Sequence, residues 1–318
     1  MQRITALAGG IGGARFLRGL RQAAPDAEIT VIGNTADDIV LHGLSISPDL
    51  DTVMYTLGGG IHEGQGWGRD AETFSVAREL AAYGAQPDWF TLGDRDIATH
   101  ILRTQMLGAG YSLSAVTEAL CDRWQPGVRL IPMTDDRVQT HVVIDEGEGA
   151  RAVHFQEWWV RLHAKVPAER IVIMGIDDAA AAPGVLDAIA NADVVVLPPS
   201  NPVVSIGPIL AVPGVRDGLR TTGAPVVGLS PIISGAPVRG MADACLTAIG
   251  VETSAAAVAG LYSDFLDGWL VDESDSASVG VIEHGGARCI AVPLLMRDVE
   301  AAAAMARHAL DLATDLGS

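Results

Sequence analysis

A glycine-rich turn near the start of the chain constrains the fold more than any other feature of the sequence. Residues 9–13 (GGIGG) follow a strand-like run at 3–8 and precede a predicted helix at 14–23. With a second predicted strand at 28–33, these segments form a βαβ unit of about 30 residues. Such a unit normally has parallel strands and a right-handed crossover.

The same glycines suggest a phosphate site, although many such turns only pack a helix against a strand. Gly10, Gly12 and Gly13 would leave backbone amides open to an anion, and Arg15 lies one step into the helix. The spacing GGxGG departs from the dinucleotide pattern GxGxxG, and Asn34 rather than an acidic residue follows the second strand. An NAD(P)-linked oxidoreductase is therefore disfavoured.

Short apolar runs along the rest of the chain predict further strands of one sheet. Such runs lie at 170–174, 193–197 and 225–229, without alternation between apolar and polar residues. Strands of this kind are typical of a parallel sheet that is covered on both faces. We therefore expect an α/β fold with a Rossmann-like, doubly wound, mostly parallel sheet. The C-terminal part adds predicted helices at 241–249, 255–266 and 297–314 and strands near 268–272 and 287–292.

The residue pattern of the segment 66–165 differs from that of the rest of the chain. We interpret it as a mainly helical insertion that caps the open sheet edge and covers the active site. Residues 1–65 and 166–318 would then form the Rossmann-like nucleotide-binding core. Within the insertion, the patterns predict helices at 70–84, 94–108 and 112–123, and a hairpin of 138–145 with 151–155 across Gly147-Glu148-Gly149.

Charge and composition narrow the class of partner. The net charge of −18, from 21 basic and 39 acidic residues, disfavours nucleic acid, and no long apolar or basic amphipathic stretch indicates a membrane. Cys121, Cys245 and Cys289 show no metal or disulfide spacing, and no signal peptide is recognised, so we expect a cytoplasmic protein. The Ala/Gly/Val-rich C-terminal third is compatible with a homodimer. Because Lys165 is the single lysine, phosphate charge would be met by backbone amides, arginines or a metal.

A first acidic pair follows the second predicted strand, at the edge where open α/β sheets place their ligands. Asp37 and Asp38 come after Asn34 and Thr35, whose hydrogen bonds suit a ribose, a base or a flavin-like ring. Either aspartate alone could instead cap a helix.

A second acidic pair comes about ten residues later. Asp49 and Asp51 form an i, i+2 pair that an extended turn could point at one hard cation. The alternative is that Asp51 or Thr52 caps the next helix. Because four carboxylates cluster near one strand end, we favour a divalent-cation site over four separate caps.

The sequence WFTLGDRD places Arg95 between Asp94 and Asp96, ahead of His100 and Arg103. One of the two aspartates is expected to cap the helix that follows. Arg95 would form either a buried ion pair or a clamp for an anion, whereas a structural role is favoured for His100.

The last motif, PPSNPVVSIGPIL at 198–210, follows a predicted strand. Ser200, Asn201 and the exposed amides of Ser205 to Gly207 would receive a phosphate or diphosphate. A plain proline-rich connection is the alternative, but it leaves the polar pair at the strand end unexplained. Since no GxSxG, HExxH or CxxC motif occurs, two anion-binding loops beside an acidic site favour transfer of a phosphorus-containing group.

Taken together, the motifs resemble the 2-phospho-L-lactate transferase family of coenzyme F-420 biosynthesis (CofD/FbiA type). The resemblance covers residues 1 to about 240 in collinear order. A related family of CofD-like gluconeogenesis regulators shares the glycine turn and the Asp-Asp pair, but has a Gly/Ser-rich run that is missing here. The segments that carry the resemblance are AGGIGGARFLRGL (8–20), VIGNTADDI (31–39), SPDLDTVMYTLGG (47–59), WFTLGDRDIATHILR (89–103), MTDDRVQT (133–140) and PPSNPVVSIGPIL (198–210).

The resemblance implies an Mg2+-dependent transferase with two substrates. The acceptor would be the deazaflavin Fo (7,8-didemethyl-8-hydroxy-5-deazariboflavin), and the donor a guanosine diphosphate-linked three-carbon acid, with GMP released. Family members in archaea use the lactyl donor and actinobacterial ones the phosphoenolpyruvate-derived donor. The arginine-over-lysine bias suggests a GC-rich genome and therefore the enolpyruvyl donor. The alternative is a nucleotide-binding regulator without transferase activity.

The resemblance also implies roles for individual residues. Asp49 and Asp51 would hold Mg2+, and one of them would accept the proton of the Fo hydroxyl. Arg95 would contact Fo or neutralise the phosphoryl oxygens. The substrate-binding residues would be Gly10, Gly12, Gly13, Asn34, Thr35, Asp37, Asp94, Ser200, Asn201 and Ser205.

Overall fold

The computed structural model describes residues 1–147 and 149–317. Most strands follow short apolar runs, and helices or loops separate them. In chain order the strands are Arg3–Ala8 (β1), Glu28–Gly33 (β2), Ile39–Leu41 (β3), Leu44–Ile46 (β4), Arg129–Pro132 (β5), Gln139–Asp145 (β6), Ala150–His154 (β7), Ala168–Met174 (β8), Val194–Leu197 (β9), Val226–Leu229 (β10), Ile232–Ile233 (β11), Ala236–Pro237 (β12), Gly268–Val271 (β13) and Arg288–Ala291 (β14).

Seven strands form one parallel sheet in the order β14-β13-β10-β9-β1-β2-β5. The inner strands β9, β10 and β13 are buried along their whole length, which explains their unbroken apolar sequences. The predicted α/β, doubly wound parallel sheet is thereby confirmed. The chain moves outward from β1 through β2 to β5, and then returns to β9 on the other side of β1. This reversal between β1 and β9 is where open sheets of this type leave a ligand crevice.

Helices cover both faces of the sheet. The first helix lies against the last one so closely that a Cβ at Gly19 would stand 2.3 Å from the backbone of Ala302. The helices are Gly10–Ala23 (α1), Pro48–Leu57 (α2), Ser75–Ala82 (α3), Asp94–Gly108 (α4), Leu113–Trp124 (α5), Val185–Ala190 (α6), Gly207–Ala211 (α7), Val215–Thr221 (α8), Ala242–Ala248 (α9), Ala255–Gly260 (α10), Val279–His284 (α11) and Val299–Leu316 (α12), with π-helical turns at Glu157–Arg161 and Pro202–Ile206 and 3-10 turns at Ile176–Asp178 and Glu273–Ser278.

A three-stranded antiparallel sheet of β7, β6 and β8, here called the mini-sheet, stands apart from the main sheet. It confirms the predicted hairpin, although Glu148 in its turn lies outside the described residues. It also shows that placing 170–174 in the parallel sheet was wrong, because β8 pairs antiparallel with β6 and is only half-buried. Residues 129–132, within the proposed insertion, supply the edge strand β5 of the main sheet. The division into core and insertion stays a prediction.

Several helix boundaries differ from the predicted ones. α1 begins at Gly10, which has a φ of +66°, so the glycine turn forms the first turn of the helix. α3 is shorter than predicted, and none of its residues is buried. Across residues 1–147 and 149–317, no helix is long and apolar enough to cross a membrane.

Candidate active site

A cleft of about 770 Å3 lies at the carboxyl ends of β1 and β9, where the strand order reverses. Its lining includes the glycine turn, the start of α2, the loop after β9 and the π-helical turn between β7 and β8. The cleft therefore brings together motifs that are almost 200 residues apart in sequence, such as Gly10 and Ser205. Among the predicted site residues, those lining it are Gly10, Gly12, Asp37, Asp49, Ser200, Asn201 and Ser205.

The glycine turn is packed too tightly for side chains. A Cβ at Gly12 would stand 2.5 Å from the carbonyl oxygen of Pro199, and one at Gly13 would stand 2.6 Å from Oγ of Ser200. Gly13 is buried behind the turn and does not line the cleft. Within the described part of the chain, no side chain caps the N-terminus of α1. The Gly10 N–H bonds to the Asp49 carboxylate, so the amides that follow it, from Ile11 onward, are the ones available to an anionic ligand.

The loop after β9 fastens onto the glycine turn. Ser200 Oγ donates to the carbonyl of Gly9 over 2.9 Å, and Asn201 Oδ1 accepts from the amides of Val203 and Val204. The amides of Ser205 and Ile206 donate to the carbonyl of Asn201. The expectation that these two amides are free for a ligand was therefore wrong, because they close a π-helical turn.

Asn34 and Thr35 lie behind the cleft instead of lining it. The Asn34 amide donates to Oδ2 of Asp49 over 2.9 Å and to the carbonyl of Val204 over 3.2 Å. Its Oδ1 accepts from the amide of Ala36 over 3.0 Å. Asn34 thus orients Asp49 and ties the acidic turn, residues 34–38, to the loop after β9. Thr35 is also buried.

Two buried carboxylates, those of Asp37 and Asp49, line this end of the cleft, and the half-buried Asp38 lies next to them in sequence. Burial raises the pKa of Asp49 to about 6, although the Asn34 amide and the Gly10 N–H lower it. Burial, together with the neighbouring charges of Asp49 and Asp38, raises the pKa of Asp37 well above its ordinary value. Among the described residues, Oδ1 of Asp37 and Oδ1 of Asp38 have no hydrogen-bond partner. Unpaired, desolvated oxygens of this kind are the hard ligands that a divalent cation prefers.

Asp51 faces a different environment from Asp49. Both lie in the first turn of α2, so the expectation of an extended turn that points them at one cation was wrong. The alternative, that Asp51 or Thr52 caps this helix, was also wrong, because the N-cap residue is Ser47. The Asp51 carboxylate instead pairs with the buried guanidinium of Arg103, which donates to it from both Nη1 (3.0 Å) and Nη2. A helical i, i+2 spacing separates the two side chains around the axis.

Arg103 also defines the group around Asp51. Nδ1 and Nε2 of His100 lie 3.7 Å from Oδ2 of Asp51 and 3.4 Å from Oδ2 of Asp96, a grouping that could hold a metal ion. However, Nη1 of Arg103 lies 3.2 Å from Nδ1 of His100, and a guanidinium can only donate. Arg103 thus occupies the Nδ1 lone pair of His100 and neutralises the carboxylate of Asp51, both of which a metal ion would need. Tyr55 donates to Asp96 over 2.6 Å and completes the network.

Asp94 and Arg95 lie outside the cleft lining. Asp94 accepts from the amides of Ser75 and Val76, so it caps α3, whereas the N-cap of α4 is Gly93. The expected cap on the following helix was therefore wrong. These bonds, with that from Thr73, lower the pKa of Asp94 to about 2. Arg95 is exposed and donates to the carbonyl of Asp70, so it forms no buried ion pair.

Sequence reasoning missed the aromatic side of the cleft. Phe155 and Trp159 stack with their ring centroids 6.0 Å apart and their planes 27° apart, and both line the cleft. Trp159 belongs to a π-helical turn, a feature that is frequent at functional sites. Arg15 and Arg239 also line the cleft. The consecutive tryptophans at 158–159 were the sequence feature that could have indicated this wall, but no periodic pattern assigned them to a helix or a strand.

The fold and the site define an α/β protein with a glycine turn, buried carboxylates and an aromatic wall at one crevice. The family model for 2-phospho-L-lactate transferase CofD matches residues 4–291. The chain belongs to this family and is therefore an enzyme that transfers a phospho-substituted group.

Curated relatives support this assignment over the full length. A Streptomyces griseus protein named phosphoenolpyruvate transferase is 68% identical over 315 residues, which are 99% of each chain. Proteins of the same name from Thermobifida fusca and Mycolicibacterium smegmatis are 64% and 56% identical, with 98–99% of each chain covered. A solved structure, protein BH3568 from Bacillus halodurans, has a TM-score of 0.64 at 18% identity and covers 97% of this chain and 99% of its own. That likeness confirms the fold.

Proposed function

We propose that the protein moves a phospho-acid from a guanosine diphosphate-linked donor to the deazaflavin Fo and releases GMP. The observation that carries the proposal is that the glycine turn, Asp49 and the Phe155–Trp159 pair line one cleft. A phosphorylated donor at the glycine turn, a cation at Asp49 and a planar acceptor at the aromatic pair would therefore lie next to one another. Because the similar proteins are named phosphoenolpyruvate transferase, the enolpyruvyl donor is proposed over the lactyl one.

The glycine turn would hold the donor diphosphate. The amides that follow Gly10 at the start of α1 have no side-chain cap, and Ser200 and Ser205 line the same part of the cleft. Arg15, half-buried in the cleft wall, adds positive charge beside the turn. Gly13 and Asn34 would act indirectly, by letting the loops pack closely and by orienting Asp49.

The carboxylates would hold the cation that neutralises the diphosphate. Asp37 and Asp49 fit this role, since both line the cleft and both are desolvated. When bound, Mg2+ would supply positive charge to the phosphoryl oxygens. We propose that Asp51, through its pairing with Arg103, stabilises the fold beside this site, in place of the direct ligand that the sequence suggested.

The chemistry is a substitution at phosphorus. The ribityl hydroxyl of Fo would attack the phosphorus that carries the acid. A new P–O bond forms, the P–O bond to GMP breaks, and the hydroxyl proton passes to a cleft carboxylate. With a pKa of about 6, Asp49 is suited to accept a proton near neutral pH. The stacked rings of Phe155 and Trp159 offer the deazaflavin a flat surface.

The test is to incubate the protein with Fo, Mg2+ and either the enolpyruvyl or the lactyl guanosine diphosphate donor. We expect GMP and a deazaflavin product whose mass has increased by the enolpyruvyl phosphate group, formed fastest with the enolpyruvyl donor. If neither donor yields GMP, the proposal fails and a nucleotide-binding regulator is favoured. The predicted homodimer can be checked on the same sample by light scattering.

A further inference from the structure

His154 joins the mini-sheet to the acidic turn, although the proposed reaction does not use it. It is the last residue of β7 and is half-buried. Its Nε2 lies 3.1 Å from the carbonyl oxygen of Asp38. On the other side of the ring, the backbone N–H of Gln156 donates to Nδ1 over 3.1 Å. The imidazole of His154 thus connects the acidic turn, at Asp38, to the cleft wall, at Gln156.

The two partners fix the state of the ring, because each has a single hydrogen-bonding role. A carbonyl oxygen can only accept, so Nε2 must carry a hydrogen and donate to Asp38. A backbone N–H can only donate, so Nδ1 must be unprotonated and accept from Gln156. His154 is therefore neutral with its hydrogen on Nε2. Burial, which lowers the pKa of His154 to about 4, agrees with this state.

The surrounding contacts show what the ring holds together. Gln139 on β6 also donates to the Asp38 carbonyl, over 3.3 Å, and the amide of Thr140 donates to the carbonyl of Ala36 over 2.7 Å. The mini-sheet is thus docked on the turn that carries Asp37. His154 adds a bond in the opposite direction, to Gln156, which lines the cleft next to Phe155.

We propose that His154 is a positioning residue that sets the cleft carboxylates and the aromatic wall relative to each other. Nε2 holds the acidic turn, and so the cation-binding half of the cleft. Nδ1 holds Gln156, and so the half that receives the planar acceptor. The inference rests on the proposed function, since it needs a cation in one half and Fo in the other.

Two conservative variants separate the two bonds. In His154→Gln, the longer amide keeps a donor near the Nε2 position but leaves the Gln156 amide without its acceptor. In His154→Asn, the shorter side chain keeps an acceptor for the amide two residues on, as in an Asx turn, but does not reach Asp38. His141→Asn changes the neighbouring ring, whose centroid lies 5.6 Å from that of His154, and is the matched control.

The experiment measures Mn2+ affinity by electron paramagnetic resonance and Fo affinity by fluorescence, each without turnover. For His154→Asn we expect Mn2+ affinity to fall about tenfold, as for loss of a group that supports metal ligands, with Fo affinity within about twofold. For His154→Gln we expect the reverse. Gln139→Leu, which loses the other bond to Asp38 and a long bond from the exposed Arg137 but keeps His154, should weaken Mn2+ binding alone.

The outcomes separate the inference from the function on which it rests. Equal losses of both affinities in both His154 variants, or no loss in either, would overturn the positioning role while leaving the proposed function in place. A wild-type protein that binds neither Mn2+ nor Fo would overturn the proposed function, and the inference with it. Circular dichroism on each variant identifies any loss of affinity that comes from unfolding.

Discussion

Asp49 and Asp51 are two residues apart, yet the protein treats them in opposite ways. Asp51 turns into a closed network in which Arg103 supplies the positive charge. Asp49 faces the cleft beside Asp37, where burial raises both pKa values and no cationic side chain hydrogen-bonds to either carboxylate among the described residues. Two acidic pairs that are neighbours in sequence thus divide in the fold into a pair member neutralised by an arginine and a buried group that we propose to bind a cation.

The largest effect is expected from removing Arg103, the positive partner of Asp51. Arg103→Met leaves Asp51 buried without its partner, and should lower the free energy of unfolding by about 3–5 kcal/mol. Urea unfolding followed by circular dichroism measures this. Arg297→Met, at an exposed arginine, is the control and should stay within about 0.5 kcal/mol. A loss for Arg103→Met as small as that control would show that the network contributes little.

The cleft-facing half should show the opposite balance of activity and stability. Asp49→Asn should reduce GMP release by about 100-fold or more, because a key electrostatic contact to the reacting phosphate is lost. Its stability at pH 7.5 should not fall, since a buried charge beside Asp37 is removed. Asp311→Asn, on the exposed side of α12, is the control. Retention of full turnover by Asp49→Asn would contradict the proposed role.

The sequence predicted the main sheet better than it predicted this division of the carboxylates. The bounds 3–8, 28–33 and 94–108 match the structure, because apolar runs, glycines and polar helix starts act locally. The predicted strand at 170–174 was placed in the wrong sheet, since a short apolar run looks the same in a buried parallel strand and a half-buried antiparallel one. Periodicity gives no partner for contacts across long sequence separations.

The candidate site shows the same limit. The motifs that reach the cleft were found because their residue types suit phosphate and cations, and because strand ends share one edge of the sheet. The pairing of Asp51 with Arg103 spans 52 residues, and the bond between His154 and Asp38 spans 116. Such partners are selected by tertiary packing and leave no local pattern.

The pH dependence of stability offers a milder contrast. A carboxyl whose pKa is raised on folding stabilises the protein fully below its unfolded pKa, and this contribution is lost as pH rises through the folded pKa. For Asp49 that window runs from about 4 to about 6. The metal-free protein should therefore lose more stability between pH 4 and pH 7 than Asp49→Asn does. Equal losses in urea unfolding at the two pH values would contradict the raised pKa.

The smallest effect is expected at Arg95, which the sequence suggested as an ion pair or an anion clamp and the resemblance suggested as catalytic. Because Arg95 is exposed and outside the cleft lining, Arg95→Ala should change GMP release by about threefold or less. Arg15→Ala, in the cleft wall, is the matched comparison and should cost more. If Arg95→Ala slowed GMP release by about 100-fold, Arg95 would have to contact the reacting groups, and its placement outside the site would be wrong.

We propose that Asp49 faces the cation and that Asp51 does not. Mn2+ titration by electron paramagnetic resonance tests it in Asp49→Asn and in the double variant Asp51→Asn with Arg103→Gln, which removes both buried charges but keeps hydrogen-bonding groups. Mn2+ binding should be lost or weakened at least tenfold in Asp49→Asn, and should stay within about threefold of wild type in the double variant. The reverse order of affinities would contradict the account.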